Sequence, residues 1–153
     1  NLNSARAKAR DARRVADVRQ IVLALNLAAD TAGGSYPSSA GDWRCLGHPE
    51  TKNNCWGPTP IYSGWAALNN VLLPNLNPIP DDPRNNTACY GDAYLYNSNV
   101  PAGALYTGSP AGVYVEWYFE NAASGNAACA GGVNVASNSC GSYCELLVGP
   151  PTP

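Results

Sequence analysis

The sequence predicts an α+β fold in which a long N-terminal helix packs on an antiparallel β-sheet, with loops cross-linked by disulfides. The first 33 residues contain no proline and carry apolar residues at helical spacing. Alternating apolar and polar residues at 113–120 are typical of a half-buried strand. Six cysteines, an even number, fit three disulfides in an oxidising compartment. A chain of 153 residues with these features is most simply one domain, residues 1–153.

Residues 1–33 are predicted to form the N-terminal helix. Its second half carries an apolar stripe at spacings of three and four, formed by Val15, Val18, Val22 and Leu25. The first half combines charge with alanine, the best helix former, so it can be helical without burying a broad apolar face. Gly33 and Gly34 provide a stop. We therefore expect the second half to lie on the core and the first half to extend from it.

Charge is distributed unevenly along the chain. Residues 1–20 carry six basic and two acidic side chains, a balance of +4, whereas the remainder carries three basic and nine acidic ones, a balance of −6. A basic segment of this kind binds nucleic acid or anionic lipid headgroups in some proteins. Composition alone favours the simpler interpretation of a solvated helix, and we do not expect nucleic acid as a partner.

The cysteines indicate disulfides rather than a metal site. Only one short pair, Cys140 and Cys144, has close spacing, and His48 is the sole histidine, which argues against zinc. Cys45 and Cys55 are ten positions apart within the connecting loop 34–62, and we predict that they pair. The sequence leaves the pairing of the other four open: Cys89, Cys129, Cys140 and Cys144.

The later elements are shorter. A helix is predicted over residues 63–73, where Pro74 ends an apolar pattern of helical spacing. The antiparallel sheet and its disulfide-bearing loops are predicted over residues 93–148, with strands at 93–97, 113–120 and 143–148. The intervening region 122–141 is small and polar, and we expect cross-links to hold it in place.

Several segments match a known family. Residues 1–14 read NLNSARAKARDARR, residues 17–21 read DVRQI and residues 34–37 read GSYP. Together they resemble bacterial type IV pilin-like proteins, the family of the major pilins and of the pseudopilins of type II secretion. The match is close over the helix and looser over residues 64–120. The cysteine-bearing loops show no pattern that aligns with the family.

The resemblance implies a structural subunit of an extracellular type IV pilus or type II secretion pseudopilus, packed through its N-terminal helix against copies of itself or related pilins. It implies an apolar segment ahead of Asn1 that holds the subunit in the membrane before assembly at the cell surface. The alternative is a minor pilin that acts as a binding module for adhesion or DNA uptake. The residues expected to pack in the filament are Ala5, Ala9, Ala12, Arg6, Arg10 and Arg13.

Two further site hypotheses come from the side chains. Asp81, Asp82 and Asp92 place hard oxygen ligands near one another, as Ca²⁺ requires, and some pseudopilins of the family are stabilised by calcium. The same Asp-Asp-Pro run is equally typical of a turn. Aromatic residues such as Trp43 and Trp56 are candidates for glycan stacking, but packing is the simpler interpretation.

We do not expect an enzyme. A Ser/His/Asp or Cys/His active site requires a histidine, and the sole histidine of the sequence is His48. His48 is predicted to lie in a loop, beside a proline, where a lone histidine is usually a surface residue. No glycine-rich phosphate loop or cofactor motif occurs in the sequence. We therefore predict neither catalytic residues nor a small-molecule substrate.

Overall fold

The computed structural model describes residues 1–51, 55–57, 61–83, 93–121, 129–138 and 141–152. Two helices and five strands follow one another in these residues. They are α1 (Leu2–Thr31), β1 (Arg44–Cys45), α2 (Ala66–Leu72), β2 (Leu95–Val100), β3 (Gly112–Phe119), β4 (Val133–Asn138) and β5 (Gly141–Gly149). None of the helices in this described part is long and apolar enough to cross a membrane.

The strands form one five-stranded sheet with the order β1-β2-β3-β5-β4, and every neighbouring pair is antiparallel. The central strand β3 therefore lies between β2 and β5. In its register, Glu116 faces Leu95 on one side and Glu145 on the other. With α1 packed on this sheet, the predicted α+β architecture of helix and antiparallel sheet is confirmed.

The helix α1 lies on the sheet through its second half. Val18, Ile21 and Leu25 are fully buried and share a core with Val115 and Trp117 of β3. These apolar residues recur at helical spacing, so burying them fixes which face of the helix meets the sheet. The prediction of a helix over 1–33 is confirmed to within two residues at its end.

The ends of α1 have recognisable caps. At the start, the Asn1 side chain accepts a hydrogen bond from the Asn3 backbone N–H, at 2.9 Å. At the other end, Gly33 and Gly34 adopt positive φ values of 71° and 100°. The N–H of Gly34 donates to the carbonyl of Ala29 at 2.8 Å, which closes the last turn. Glycine allows this left-handed exit without a Cβ clash.

The outer face of the sheet carries a second, smaller core. Cys45, Leu95 and Tyr118 pack there with Trp56 and Tyr143. A disulfide joins Cys45 to Cys55 at this face, with Cα atoms 6.5 Å apart, so that predicted pair is confirmed. A second disulfide joins Cys129 to Cys144 of β5. The remaining two cysteines of the prediction, Cys89 and Cys140, lie outside the described residues.

Some elements differ from the sequence prediction. The short helix occupies Ala66–Leu72 within the predicted 63–73. Strands β1 and β4 were not predicted, because β1 is two residues long and β4 lies in the small, polar region 122–141. Both are held by pairing with a neighbouring strand, β1 with β2 and β4 with β5, rather than by a strong pattern of their own.

Candidate functional site

The first half of α1 presents a row of small apolar residues to solvent. Ala5, Ala9, Ala12 and Ala16 are exposed, and Leu2 keeps 65% of its surface accessible. Their spacings of three and four place them on one face of the helix. That face is turned away from the buried Arg14 and Val18. We call Leu2, Ala5, Ala9, Ala12 and Ala16 the exposed stripe; nothing in the described part of the chain covers it.

The basic residues that the sequence assigns to filament packing fall into two groups. Arg6 and Arg13 are exposed, and Arg13 forms a long ion pair of 3.6 Å with Asp17. Arg10 instead binds its own domain. Its Nε and Nη2 donate to the two carboxylate oxygens of Glu120 at 2.6 and 2.7 Å. Arg10 therefore forms a bidentate ion pair within its own chain.

Arg14 is fully buried and is surrounded by carboxylates. Its Nε and Nη2 donate to the two oxygens of Asp82 at 2.7 and 2.8 Å. Its Nη1 donates to Asp11 at 2.8 Å and to Glu120 at 2.9 Å. The guanidinium also lies 5.2 Å from the ring centre of Tyr118, in cation–π range. Every nitrogen of this buried charge thus has an acceptor.

Asp11 joins the helix to the end of the central strand. Its two carboxylate oxygens accept hydrogen bonds from the backbone N–H groups of Glu120 and Asn121, at 2.9 and 3.0 Å. These groups follow the last residue of β3, Phe119, where strand pairing stops. We call the set of Arg10, Asp11, Arg14, Asp82 and Glu120 the ion-pair cluster. It fixes α1 at the point where the exposed extension begins.

Contacts within the ion-pair cluster shift the pKa of Arg14 and the pKa of Glu120 in the directions that favour charge. Burial on its own would lower the pKa of Arg14, but hydrogen bonds to Asp82, Glu120 and Asp11 outweigh it and raise the pKa above its ordinary value. Burial on its own would raise the pKa of Glu120, but hydrogen bonds from Arg10 and Arg14 lower it to about 2. Both groups are therefore charged at neutral pH.

A buried hydrogen bond lies one helical turn further along. The Tyr94 hydroxyl donates to Oδ2 of Asp17 at 2.8 Å, and both residues are buried. Burial raises the pKa of Tyr94, and the hydrogen bond to Asp17 raises it further, so the phenol stays protonated. This contact ties α1 to the residue that precedes β2.

Two carboxyl groups face each other on the outer face of the sheet. Glu116 of β3 and Glu145 of β5 are directly opposite, and Glu145 is only 3% exposed. Oε2 of Glu145 is buried and has no hydrogen-bond partner among the described residues. Burial, then the hydrogen bond and the repulsion from Glu116, raise the pKa of Glu145 to about 11, and burial also raises the pKa of Glu116.

Two of the predicted calcium ligands, Asp81 and Asp82, have hydrogen-bond partners within the described chain. Asp82 gives both oxygens to Arg14, while Asp81 accepts a hydrogen bond from the Asp82 backbone N–H at 2.9 Å. Asp92 lies outside the described residues. No group of three or more histidine, cysteine, aspartate or glutamate side chains suited to a metal occurs in the residues that the structure covers. Calcium binding stays a prediction.

The loop residues considered for adhesion or catalysis have structural contacts. Trp56 is buried and its ring lies 5.8 Å from that of Tyr143, while Trp43 packs partly buried against the same cluster. Nε2 of His48 lies 3.4 Å from Oδ1 of Asp81 at the edge of a shallow cavity of about 250 Å³. These contacts give no observation that favours the glycan-stacking hypothesis.

Sequence reasoning missed the ion-pair cluster. Asp82 is 68 positions from Arg14, and Glu120 is 110 positions from Arg10. Only the pair of Asp11 and Arg14, three positions apart on one helix, has a local signal.

Comparison with known proteins finds no protein-family model, no curated protein and no solved structure that matches this chain. The family resemblance of the opening segments therefore stays a prediction.

Proposed function

We propose that this chain is a structural subunit of an extracellular filament, a type IV pilus or a type II secretion pseudopilus, and that it assembles through the first half of α1. Its partners are then copies of itself or related pilins. The observation that carries the proposal is the exposed stripe on a helix extension that the ion-pair cluster holds at its base.

The length of α1 supports this proposal. Thirty residues at about 1.5 Å each give a helix of roughly 45 Å. The first contact of the helix with its own domain is the pair of Arg10 and Glu120, and its first fully buried side chain is Arg14, so residues 2–9 extend beyond both. An extension of this length is more than the described domain needs to cover its own core, and it is available for contact with another molecule.

The side chains of the exposed stripe suit helix-to-helix contact. Packed helices lie about 8–10 Å apart, and the closest approaches need small residues at the contact. Ala5, Ala9 and Ala12 supply such residues on one face, in a segment that alanine makes helical without tertiary help. Arg6 and Arg13, both exposed, remain available for charge pairing beside the stripe.

Site-specific photo-crosslinking in the cells that make the protein tests this proposal. A benzophenone amino acid at Ala9 is expected to link one copy to another in filaments sheared from the cell surface, because the stripe is then buried between subunits. The same probe at Ala102, an exposed position in the loop between β2 and β3, is the matched control. A filament fraction without the protein, or links from Ala102 but none from Ala9, would contradict the proposal.

Membrane insertion before assembly forms part of the proposal and rests on the family resemblance alone. Fractionation of the same cells checks it directly. The protein is expected with the cytoplasmic membrane until assembly and with the cell-surface filaments afterwards.

A further inference from the structure

A shallow groove lies where the two helices end. It has a volume of about 360 Å³ and is lined mainly by apolar surface from the last turns of both helices: Ala28, Thr31, Ala32, Val71, Pro74 and Asn75. Val71, in the last turn of α2, is 45% exposed, whereas its neighbour Leu72 is fully buried. We call this feature the α1–α2 groove.

The electrostatic character of the α1–α2 groove is negative. The C-terminal end of a helix carries a partial negative charge of about half an elementary charge, from its aligned peptide dipoles. Neither α1 nor α2 has a basic residue in its last turn to offset this. Asp30, exposed in the last turn of α1, adds a full negative charge at the same end.

The first half of α1 has the opposite character. Arg6 and Lys8 are exposed on either side of the exposed stripe, and Arg13 forms its long ion pair with Asp17. Arg10 and Arg14 are the cations that the domain neutralises itself. An apolar stripe flanked by exposed cations thus lies at one end of α1, and an apolar groove with negative helix ends lies at the other.

One molecule cannot bring these two surfaces together. Ala9 and Ala28 are 19 positions apart on one continuous helix, which corresponds to roughly 28 Å along its axis. A second copy can supply the missing partner, and its own groove is then free for a third. Contacts between different surfaces of identical subunits propagate into open helical polymers unless the rotation closes a ring.

We propose that the α1–α2 groove receives the first half of α1 of a second copy, with the exposed stripe against Val71 and Arg6, Lys8 and Arg13 near the negative helix ends. This inference rests on the proposed function and adds the surface that receives the helix. Because the contact combines apolar burial with exposed charges, it weakens as salt shortens the range of electrostatic attraction.

Photo-crosslinking from the groove side tests the proposal separately from the filament itself. A benzophenone amino acid at Val71 is expected to link to residues 2–13 of another copy, identified by mass spectrometry of the linked peptides. Leu147, 43% exposed on the outer face of the sheet, is a control of matched exposure. Combining the Val71 probe with Arg6→Glu and Lys8→Glu is expected to lower the yield of this link several-fold.

The possible results separate the two proposals. Links between copies from Ala9 without any from Val71 would overturn the groove assignment and leave the filament proposal standing. Links from Val71 to other parts of a second copy, to lipid or to a different protein would also overturn it. An unchanged yield in the Arg6→Glu, Lys8→Glu chain would contradict the electrostatic part, because reversing both charges replaces attraction with repulsion.

Discussion

Arg14 shows how a cationic side chain is accommodated in the interior of this domain. Removing a charge from water costs several kcal/mol, and only close, well-aligned partners offset that cost. Arg14 has them, because Asp82 binds it through two parallel hydrogen bonds, and Asp11 and Glu120 both accept from its third nitrogen, Nη1. Leaving such a charge without its principal partner is therefore more damaging than losing an ordinary surface ion pair.

Replacing Asp82 by asparagine is expected to lower the free energy of unfolding by about 3 kcal/mol, because it leaves Arg14 buried with fewer compensating charges. Urea unfolding at neutral pH measures this change. The adjacent Asp81→Asn is the control: Asp81 is exposed, and asparagine keeps the acceptor for the Asp82 N–H, so a change of no more than about 0.5 kcal/mol is expected. Equal effects from both substitutions would contradict the assigned role of Asp82.

The raised pKa of Glu145 predicts an unusual dependence of stability on pH. Its pKa rises from 4.5 to about 11 on folding, so the folded state keeps a proton that the unfolded state releases above pH 4.5. This contribution therefore makes the protein less stable as pH rises from about 4.5 through about 11. Each pH unit in this range costs the folded state up to ~1.4 kcal/mol, so Glu145→Gln is expected to flatten the slope and to gain up to about 4 kcal/mol of stability relative to the original chain between pH 5 and pH 8.

Urea unfolding from pH 5 to pH 9 measures the slope, and Glu120→Gln is the control, because it should lower the stability without changing the slope in this range. The pKa of Glu120 falls to about 2 on folding, so its contribution is present above pH 4.5 and is lost as pH falls through about 2. Glu120→Gln is therefore expected to destabilise the protein at neutral pH. A slope unaltered by Glu145→Gln would show that the pair does not hold the proton.

At the scale of elements, α1 has two apolar surfaces with different environments. Ile21 is fully buried against the sheet, whereas Leu23, two positions later, is 59% exposed. A single helix can present both because residues two apart point in directions roughly 160° different at 3.6 residues per turn. The periodicity of the buried residues determines the face that packs on the sheet.

Replacing Ile21 or Leu23 by alanine tests the contribution of each surface to stability. Ile21→Ala is expected to lower the free energy of unfolding by about 2–5 kcal/mol, because it removes buried methyl groups and leaves a cavity. Leu23→Ala is expected to change it by no more than about 0.5 kcal/mol. Thermal and urea unfolding of the two variants provide the measurement, and a larger loss for Leu23 would mean that the helix packs in another orientation.

The elements that could be predicted from the sequence share a strong local pattern of apolar residues. Val18, Ile21 and Leu25 repeat at helical spacing, and Val113, Val115 and Trp117 alternate along β3, so each segment indicates its own structure. The short strand β1 and the polar strand β4 lack such a pattern and depend on the strands that pair with them. The ion-pair cluster could not be predicted, because residues far apart in sequence meet only once α1 lies on the sheet.

At the scale of the whole molecule, folding and the proposed assembly use different surfaces. The core lies between the sheet and the second half of α1, while the exposed stripe makes no contribution to that core. Stability and assembly can therefore be altered separately by mutation. This separation is expected of a subunit that has to fold first and polymerise afterwards.

Ala9→Glu tests that separation. Glutamate is a good helix former and position 9 is exposed, so the free energy of unfolding is expected to stay within about 0.5 kcal/mol of the original. Filaments counted by electron microscopy on the cells are expected to be lost, because a carboxylate would be buried at the subunit contact. Ala102→Glu should leave both quantities unchanged. Normal filaments from the Ala9→Glu chain would exclude the stripe as the contact.

The bonds from Asp11 to the backbone of Glu120 and Asn121 have a mechanical consequence. A pull applied at Asn1 travels along α1 and reaches this cluster before it reaches the buried apolar residues, which begin at Val18. There the load divides among several charged bonds, two of them attached to the main chain just beyond the middle strand of the sheet. Single-molecule stretching should therefore show a higher rupture force for the original chain than for Asp11→Ala. Tension drawn along a row of such subunits would enter each one through the end of its central strand.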